Sequence, residues 1–352
     1  MKAYEKVHDR LRDAIVAGAY GYGTRLPSKR ETARETGASL VTVEHAYAIL
    51  CEEGYAEPRE RSGYFACYRE TDAAPVRAFA DVPRVKPNRH RHPVDFPFSV
   101  LTRTVRGVLT RYGERLLIKS PNRGTSELRE AIARYLVRAR GFRVNPGQIV
   151  VGSGAEYLYG LIAQMFRGEA IAVEDPSYAQ IREVYRAHGV ATMPLRLGPS
   201  GIASDDLATT RAAILHVTPY RSFPSGVTTD ASKRHEYVRW AERREGLLIE
   251  DDFESEFAAT EKGAETLYAM DGGRRVIYLN TFSKTIAPSL RIGYMILPKP
   301  LMKLYAERVG FYSCTVPVLD QYFLADYLES GAFERHLNRQ RRAQNAAFRS
   351  QR

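Results

Sequence analysis

The stretch that decides the fold is NTFSKTIAPSLRIGY, residues 280–294, which follows the apolar run at 276–279. That run predicts a buried strand ending shortly before Lys284. A lysine amine at such a position can form an imine with a carbonyl compound. Arg291, seven residues further on, offers a fork of donors that suits a phosphate. The pair therefore predicts a site for a ligand that carries both a carbonyl and a phosphate group.

Strand-like and helical segments alternate from Asn122 onward, which is typical of a doubly wound α/β sheet. In open α/β sheets, ligands bind outside the carboxyl ends of the strands. We therefore expect the polar residues that follow the strand-like runs to gather in one site. These residues lie at 152–155, 175–178, 218–220, 251–253 and 280–284.

Pyridoxal 5′-phosphate has the groups that such a site would bind. The N–H groups of the helix that opens at Gly154 suit its phosphate, as does the guanidinium of Arg291. Asp251 would pair with the pyridinium nitrogen and keep it protonated, so that the ring draws electrons. Lys284 would be the imine partner, because a desolvated lysine beside a cation loses its proton readily. The alternatives are that Asp251 is a helix cap and that Lys284 is an ordinary surface lysine.

Segment 280–294 resembles the lysine motif of fold-type-I aminotransferases, and most closely the version found in MocR-type regulators of the GntR superfamily. The resemblance implies a fold-type-I transferase-like α/β large domain with a mostly parallel sheet, in which Lys284 forms the Schiff base with pyridoxal 5′-phosphate. It also implies that Tyr178 lies against the cofactor ring, with an ordinary aromatic residue as the alternative. The cofactor-binding residues expected on this basis are Ser153, Gly154, Ala155, Tyr178, Asp251, Ser283, Lys284 and Arg291.

Acidic and histidine residues near these positions are expected to have other roles. His216 is interpreted as a strand residue and not as a ligand. Asp252, Glu254 and Glu256 are interpreted as solvated or structural carboxylates.

Two differences from the family pattern lie near the expected position of the cofactor's phenolic oxygen. Tyr220-Arg221-Ser222 replaces the family's Ser-His-Gln, and Phe253 stands where the family usually has a tyrosine. Both changes remove expected hydrogen-bond donors. We therefore expect cofactor binding to survive but the tuning for transamination to be worse.

The first seventy residues have a different pattern, in which three helices precede a hairpin. An apolar face recurs at helical spacing over residues 4–15. Ser28 and Glu31 have the spacing of a capping box, and Ser39 can cap the next helix. Two short strands are expected over 55–67, on either side of residues 58–63. This order is that of a winged helix-turn-helix, in which the helix near Ser39 would enter the major groove of DNA.

This segment resembles the GntR-type DNA-binding domain, in residues 23–30, 42–43, 46–47, 53–54 and 62–65. The alternative is a small helical dimerisation or docking domain. Leu40 stands where the family usually has an arginine, whose contact with guanine contributes about 1–3 kcal/mol of discrimination; a leucine can instead pack on a thymine methyl. The residues expected to contact a double-stranded DNA operator are Arg25, Ser28, Arg30, Ser39, Thr42 and Gly63.

The net charge of +11 suits a nucleic-acid partner, but the charge does not lie in the predicted DNA-binding segment. Residues 1–70 hold equal numbers of basic and acidic residues, so the DNA-binding prediction depends on their pattern. Residues 71–92 contain three prolines and five Lys or Arg residues. They are interpreted as a basic tether, with an arm packed on the second domain as the alternative.

The predicted organisation is a winged helix-turn-helix domain at 1–70, a linker at 71–92 and an aminotransferase-like domain at 93–352. Relatives continue into a small C-terminal domain, which we expect to be missing or truncated here. The three cysteines show neither zinc spacing nor a disulfide framework. No apolar run approaches the roughly 18 residues that span a membrane. We expect a cytoplasmic protein without a metal site or a membrane partner.

Three functions fit these patterns. The first is a DNA-binding transcription regulator that works as a homodimer, with pyridoxal 5′-phosphate and an amino acid or amine as effectors. The second is a working aminotransferase with an accessory DNA-binding domain. The third is a DNA-binding protein whose cofactor domain is only a vestigial scaffold.

Overall fold

A computed structural model describes residues 2–60, 62–69, 96–252, 255–257 and 265–350, with side chains up to residue 343. The predicted linker at 71–92 and the predictions for Phe253 and Glu254 lie outside the described residues. The described residues form two compact units, one before this linker and one after it.

The first unit has the predicted three helices and a two-stranded antiparallel hairpin. The elements are α1 (Ala3–Val16), α2 (Lys29–Thr36), α3 (Leu40–Glu52), β1 (Ala56–Arg59) and β2 (Gly63–Ala66). Pro58 and Arg59 extend β1, so the turn is shorter than the sequence pattern suggests. This is a winged helix-turn-helix.

Buried apolar side chains and helix caps hold the first unit together. Tyr47 of α3 is fully buried, and its hydroxyl donates to the carbonyl oxygen of Pro27 at 2.7 Å. The Oγ of Ser28 accepts from the N–H of Glu31 at 3.2 Å, and the Glu31 carboxylate accepts from the N–H of Ser28, which completes the predicted capping box. These contacts fix where α2 begins relative to α3.

The second unit is an α/β domain. Its helices are α4 (Phe98–Tyr112), α5 (Ser126–Arg140), α6 (Ala155–Met165), α7 (Ala179–Ala187), α8 (Ser204–Thr209), α9 (Ala231–Arg244), α10 (Leu267–Asp271), α11 (Leu301–Arg308), α12 (Val318–Glu329) and α13 (Ala332–Ser350). Its strands are β3 (Ile149–Gly152), β4 (Ile171–Asp175), β5 (Thr192–Gly198), β6 (Gly201–Ile202), β7 (Ile214–Val217), β8 (Leu247–Asp251), β9 (Val276–Thr281) and β10 (Gly293–Ile296).

The eight strands of the second unit form one mixed sheet in the order β3-β10-β9-β8-β7-β4-β5-β6. Strands β5, β4, β7, β8 and β9 run parallel to one another. Strand β10 runs antiparallel to both of its neighbours, and β6 runs antiparallel to β5. The five strand-like runs that lead to the predicted site residues are all strands, which confirms the mostly parallel α/β fold.

Helices cover both faces of this sheet, so most of its strands are buried on two sides, whereas the residues of β5 are mostly half-buried or exposed. The alternation of side chains along a strand explains how one strand serves two cores. Val151 packs into one apolar cluster and Val150 into the other. Within the described part of the chain, no helix combines the length and apolar character needed to cross a membrane.

Candidate functional site

A pocket of about 170 Å³ lies at the carboxyl ends of β4, β7, β8 and β9. Six of the eight residues predicted to bind the cofactor line it, namely Ala155, Tyr178, Asp251, Ser283, Lys284 and Arg291. Ser153 lies outside the lining residues, and its N–H donates to Thr315 Oγ1 at 3.1 Å. Gly154 lies directly against Arg291. The carboxyl ends of these strands lie at one edge of the sheet and bring the predicted residues together, as expected for a ligand site in an open α/β sheet.

One end of the pocket has the features of an anion site. Gly154 has a φ of +93°, and a Cβ there would lie 3.1 Å from Arg291 Nη2, so a glycine lets the guanidinium approach the start of α6. The first N–H groups of a helix have no partner within the helix, and its dipole favours negative charge there. Arg291 Nη2 pairs with Glu156 Oε2 at 2.5 Å, and both side chains are about half exposed.

The lining of the pocket also includes a buried carboxylate. Asp251 closes β8, is 4% exposed and accepts a hydrogen bond from the hydroxyl of Tyr159. His216 Nε2 lies 3.7 Å from Asp251 Oδ2, and His216 Nδ1 shares a 2.8 Å hydrogen bond with the Tyr185 hydroxyl. His216 is a buried residue of β7, as predicted, but it lies directly behind the carboxylate. This arrangement fixes the orientation of Asp251 toward the pocket.

The lysine loop is held in place by its own hydroxyl groups. Thr281 Oγ1 donates to Ser283 Oγ at 3.1 Å, and Ser283 Oγ donates to the carbonyl oxygen of Leu290 at 3.2 Å. These bonds connect the two ends of the loop that runs from β9 toward β10. Lys284 is exposed and lines the pocket.

Aromatic side chains form a wall of the pocket. The rings of Tyr178 and Phe223 have centroids 6.1 Å apart and meet nearly edge to face. Phe223 is 57% exposed, which is high for a large apolar side chain. Such a wall suits the flat face of an aromatic ligand.

The altered loop at 218–222 is anchored to two buried glutamates. Thr218 Oγ1 and Ser222 Oγ donate to Glu174 Oε2 at 2.5 and 2.8 Å. The hydroxyl of Tyr220 donates to Glu250 Oε1 at 2.6 Å. Of this loop, Thr218 lines the pocket, whereas Tyr220 and Ser222 do not. Two of the three residues that replace the family's Ser-His-Gln, Tyr220 and Ser222, thus hold the loop to buried glutamates.

Behind the pocket lies a buried ionic cluster. Arg140 Nη2 lies 2.7 Å from Asp252 Oδ2, and neither side chain is more than 5% exposed. Glu256 accepts from Asn280 Nδ2 at 2.9 Å. Burial, together with the negative charge of Asp252, raises the pKa of Glu256 to about 7. Asp252 and Glu256 are buried and therefore structural, which is one of the two roles expected for them, and they are not solvated.

We expect the stability of the second unit to fall as the pH rises from about 4.5 to about 7. The folded state keeps the Glu256 proton up to about pH 7, whereas the unfolded state releases it near 4.5, so raising the pH through this window favours unfolding. Glu256→Gln should reduce this pH-dependent fall in the free energy of unfolding by about 1–3 kcal/mol. The free energy of unfolding at each pH is measured with denaturant and followed by the fluorescence of Trp240. Trp240 is the single tryptophan of the chain and is buried. Glu242→Gln, at an exposed ion pair, is the control, and equal slopes in all three proteins would contradict the assignment.

The residues of this pocket fit pyridoxal 5′-phosphate. A glycine-opened helix and an arginine suit its phosphate, a buried carboxylate suits its ring nitrogen, and an aromatic wall suits its ring. Lys284 supplies the amine. Sequence reasoning placed Thr218 among the residues expected to gather in the site, but it did not identify Glu156, Tyr159 or Phe223. Glu156 and Tyr159 follow Ala155 within a helical turn or so, and this spacing is the signal that could have found them.

The residues predicted to contact DNA lie on the first unit. Arg25, Ser28, Arg30 and Ser39 are exposed, and Thr42 is half-buried. A Cβ on Gly63, which has a φ of +103°, would lie 3.3 Å from Arg25 Nε, so Arg25 packs against the hairpin. Ser39 caps α3 by accepting from the N–H of Thr42 at 3.2 Å. At the start of the same helix, Leu40 and Val41 are 44% and 74% exposed.

Comparison with known proteins extends over both units. Residues 101–351 match the family "Aminotransferase class I and II", and residues 3–65 match "Bacterial regulatory proteins, gntR family". The HTH-type transcriptional regulator YdeL of Bacillus subtilis is 33% identical over 96% of this chain and 76% of its own length. The HTH-type pyridoxine biosynthesis transcriptional regulator PdxR of Corynebacterium glutamicum is 32% identical over 95% of this chain and 74% of its own.

A solved structure shows the same fold in the second unit. It is LysN, an α-aminoadipate aminotransferase from Thermus thermophilus, complexed with N-(5′-phosphopyridoxyl)-L-leucine. It is 27% identical with a TM-score of 0.62, over 70% of this chain and 64% of that one. The chain thus spans less than two thirds of this enzyme and about three quarters of the two regulators. Taken together, the two family matches and the relatives along most of its length show that the chain belongs to the MocR-type family, which joins a GntR-type helix-turn-helix domain to an aminotransferase class I and II domain.

Proposed function

We propose that this protein is a DNA-binding transcription regulator that uses pyridoxal 5′-phosphate. The observation that carries the proposal is the convergence of Lys284, Asp251 and Arg291 in one pocket of a chain that also has a winged helix-turn-helix unit. Relatives along most of its length are named as transcriptional regulators, one of them of pyridoxine biosynthesis.

The pocket residues that support this proposal have distinct tasks in it. Arg291 and the start of α6 hold the phosphate, and Asp251 keeps the ring nitrogen protonated. Tyr178 covers the ring, and Lys284 holds the cofactor covalently. When bound, the cofactor supplies an electrophilic carbon that exchanges amines, so an amino acid or amine can act as effector. Tyr159 and His216 keep the Asp251 carboxylate in position.

The first unit would read a double-stranded operator through α3 and its flanking loops. Arg25, Arg30 and Gly63 would face the DNA backbone or base edges, and Ser28, Ser39 and Thr42 would lie at the helix starts that approach it. We place the regulator in the cytoplasm as a homodimer, which would read paired half-sites.

Arg30→Ala should weaken specific DNA binding by about tenfold, because it removes a charged donor from the exposed start of α2. The capping box of Ser28 and Glu31 is untouched, so the helix should still form. Fluorescence anisotropy with a labelled operator measures the change. Arg12→Ala is the matched control, because its guanidinium is held by Asp9 and Asp13, and it should change affinity less than about twofold. Equal affinities for Arg30→Ala and wild type would argue against this placement of the DNA.

Genomic DNA selection tests the proposed function and supplies the operator. Purified protein is incubated with sheared DNA of its own genome, and the retained fragments are sequenced. The proposal predicts enriched fragments that share paired half-sites. No enrichment, together with steady amino-group transfer from an amino acid to a keto acid, would instead identify a turnover aminotransferase.

A further inference from the structure

The anion-binding end of the pocket already contains one of the chain's own carboxylates. Glu156 Oε2 lies 2.5 Å from Arg291 Nη2, and both residues line the pocket. Glu156 is also the second residue of α6, so its negative charge lies in the first turn, at the positive end of the helix dipole. The two groups proposed to bind a phosphate thus both interact with Glu156.

We propose that Glu156 sets the affinity of the pocket for the phosphate group of its ligand, by pairing with Arg291 until a phosphate displaces it. The inference rests on the proposed function, because it concerns the same pocket. Glu156 would thus compete with the phosphate of the ligand for Arg291.

The direction of the effect follows from charge. A phosphate that reaches Arg291 must break the ion pair and then lie near a displaced carboxylate of like sign. The side chains of Arg291 and Glu156 are 50% and 42% exposed, so water screens the repulsion and the effect is moderate. A glutamine of the same shape carries no charge, and its amide can donate to a phosphate oxygen.

A weakened hold on the phosphate suits a sensor. A higher dissociation constant raises the ligand concentration at which the pocket is half filled. Occupancy then follows the supply of the phosphorylated ligand instead of saturating at low supply. Glu156 competes only with the phosphate, so the affinity for an unphosphorylated ligand should not depend on it.

The test compares wild type, Glu156→Gln and a control variant with two ligands, pyridoxal 5′-phosphate and pyridoxal. The control is Glu130→Gln on α5, which removes the same charge from an ion pair with Arg134 whose side chains are both 50% exposed. Dissociation constants are measured by titration calorimetry with the full chain. We expect Glu156→Gln to bind pyridoxal 5′-phosphate about fivefold more tightly, with pyridoxal unchanged and Glu130→Gln like wild type for both ligands.

The outcomes separate the two proposals. Glu156→Gln binding pyridoxal 5′-phosphate no more tightly than Glu130→Gln would overturn the role of Glu156 and leave the cofactor site standing. An equal gain for both ligands would also overturn it, since the gain would not come from the phosphate. If neither wild type nor Glu156→Gln binds pyridoxal 5′-phosphate, the proposed cofactor site is wrong and this inference fails with it.

Discussion

Replacing Lys284 with alanine will abolish covalent attachment of pyridoxal 5′-phosphate to the protein. Lys284 is the one lysine among the described residues that line the pocket, together with the residues proposed to hold the phosphate and the ring of the cofactor. An alanine has no amine, so incorporation should fall to background and not merely weaken. The measurement is intact-mass spectrometry after incubation with the cofactor and reduction with borohydride.

The matched control is Lys299→Ala. Lys299 is exposed after β10 and lies outside the lining residues of the pocket. This variant should gain one cofactor per chain, as wild type does. Borohydride-stable labelling of Lys284→Ala at the wild-type level would show that another lysine carries the chemistry, and it would remove the basis of the proposed site.

Replacing Arg140 with methionine will lower the free energy of unfolding of the second unit by about 3–5 kcal/mol, because removing one partner of a buried ion pair leaves an uncompensated charge. Arg140 ends α5, and its Nη2 lies 2.7 Å from Asp252 Oδ2, where the two side chains are 5% and 0% exposed. Its guanidinium also lies over the ring of Tyr220, 4.7 Å from the centroid. Denaturant unfolding followed by Trp240 fluorescence reports this unit.

Two further variants test whether this loss of stability comes from the buried ion pair. Arg134→Met, on the same helix, removes a side chain that is half exposed and should cost less than about 1 kcal/mol. Adding Asp252→Asn to Arg140→Met should recover part of the loss, because the unpaired charge disappears. An Arg140→Met protein as stable as Arg134→Met would mean that Arg140 and Asp252 do not form a buried pair in solution.

Much of the site was predictable because its residues are encoded next to strands. Lys284, Asp251 and Tyr178 each follow an apolar run closely, and a parallel sheet brings such positions to one edge. Ser28 and Ser39 were predictable as helix caps for a similar reason, since a cap and the N–H group that donates to it are three residues apart. Local patterns of this kind are read directly from sequence.

The remaining features depend on contacts between residues that are distant in the chain. The ion pair of Arg140 and Asp252 joins the end of α5 to the end of β8, and no local pattern encodes it. The same is true of Glu156 with Arg291. Strand β5 was not predicted, because most of its residues are half-buried or exposed and Pro194 interrupts it, and β6 was not predicted because it has only two residues and begins at Gly201.

Operator affinity measured with and without pyridoxal 5′-phosphate tests the central claim most directly. Wild type and Lys284→Ala are titrated by fluorescence anisotropy against an operator obtained by genomic selection. Our account predicts that the cofactor changes the operator affinity of wild type several-fold and leaves that of Lys284→Ala unchanged. Tight operator binding by wild type that is the same with and without bound cofactor would contradict it, and would mean that the second unit is a scaffold for a DNA-binding protein.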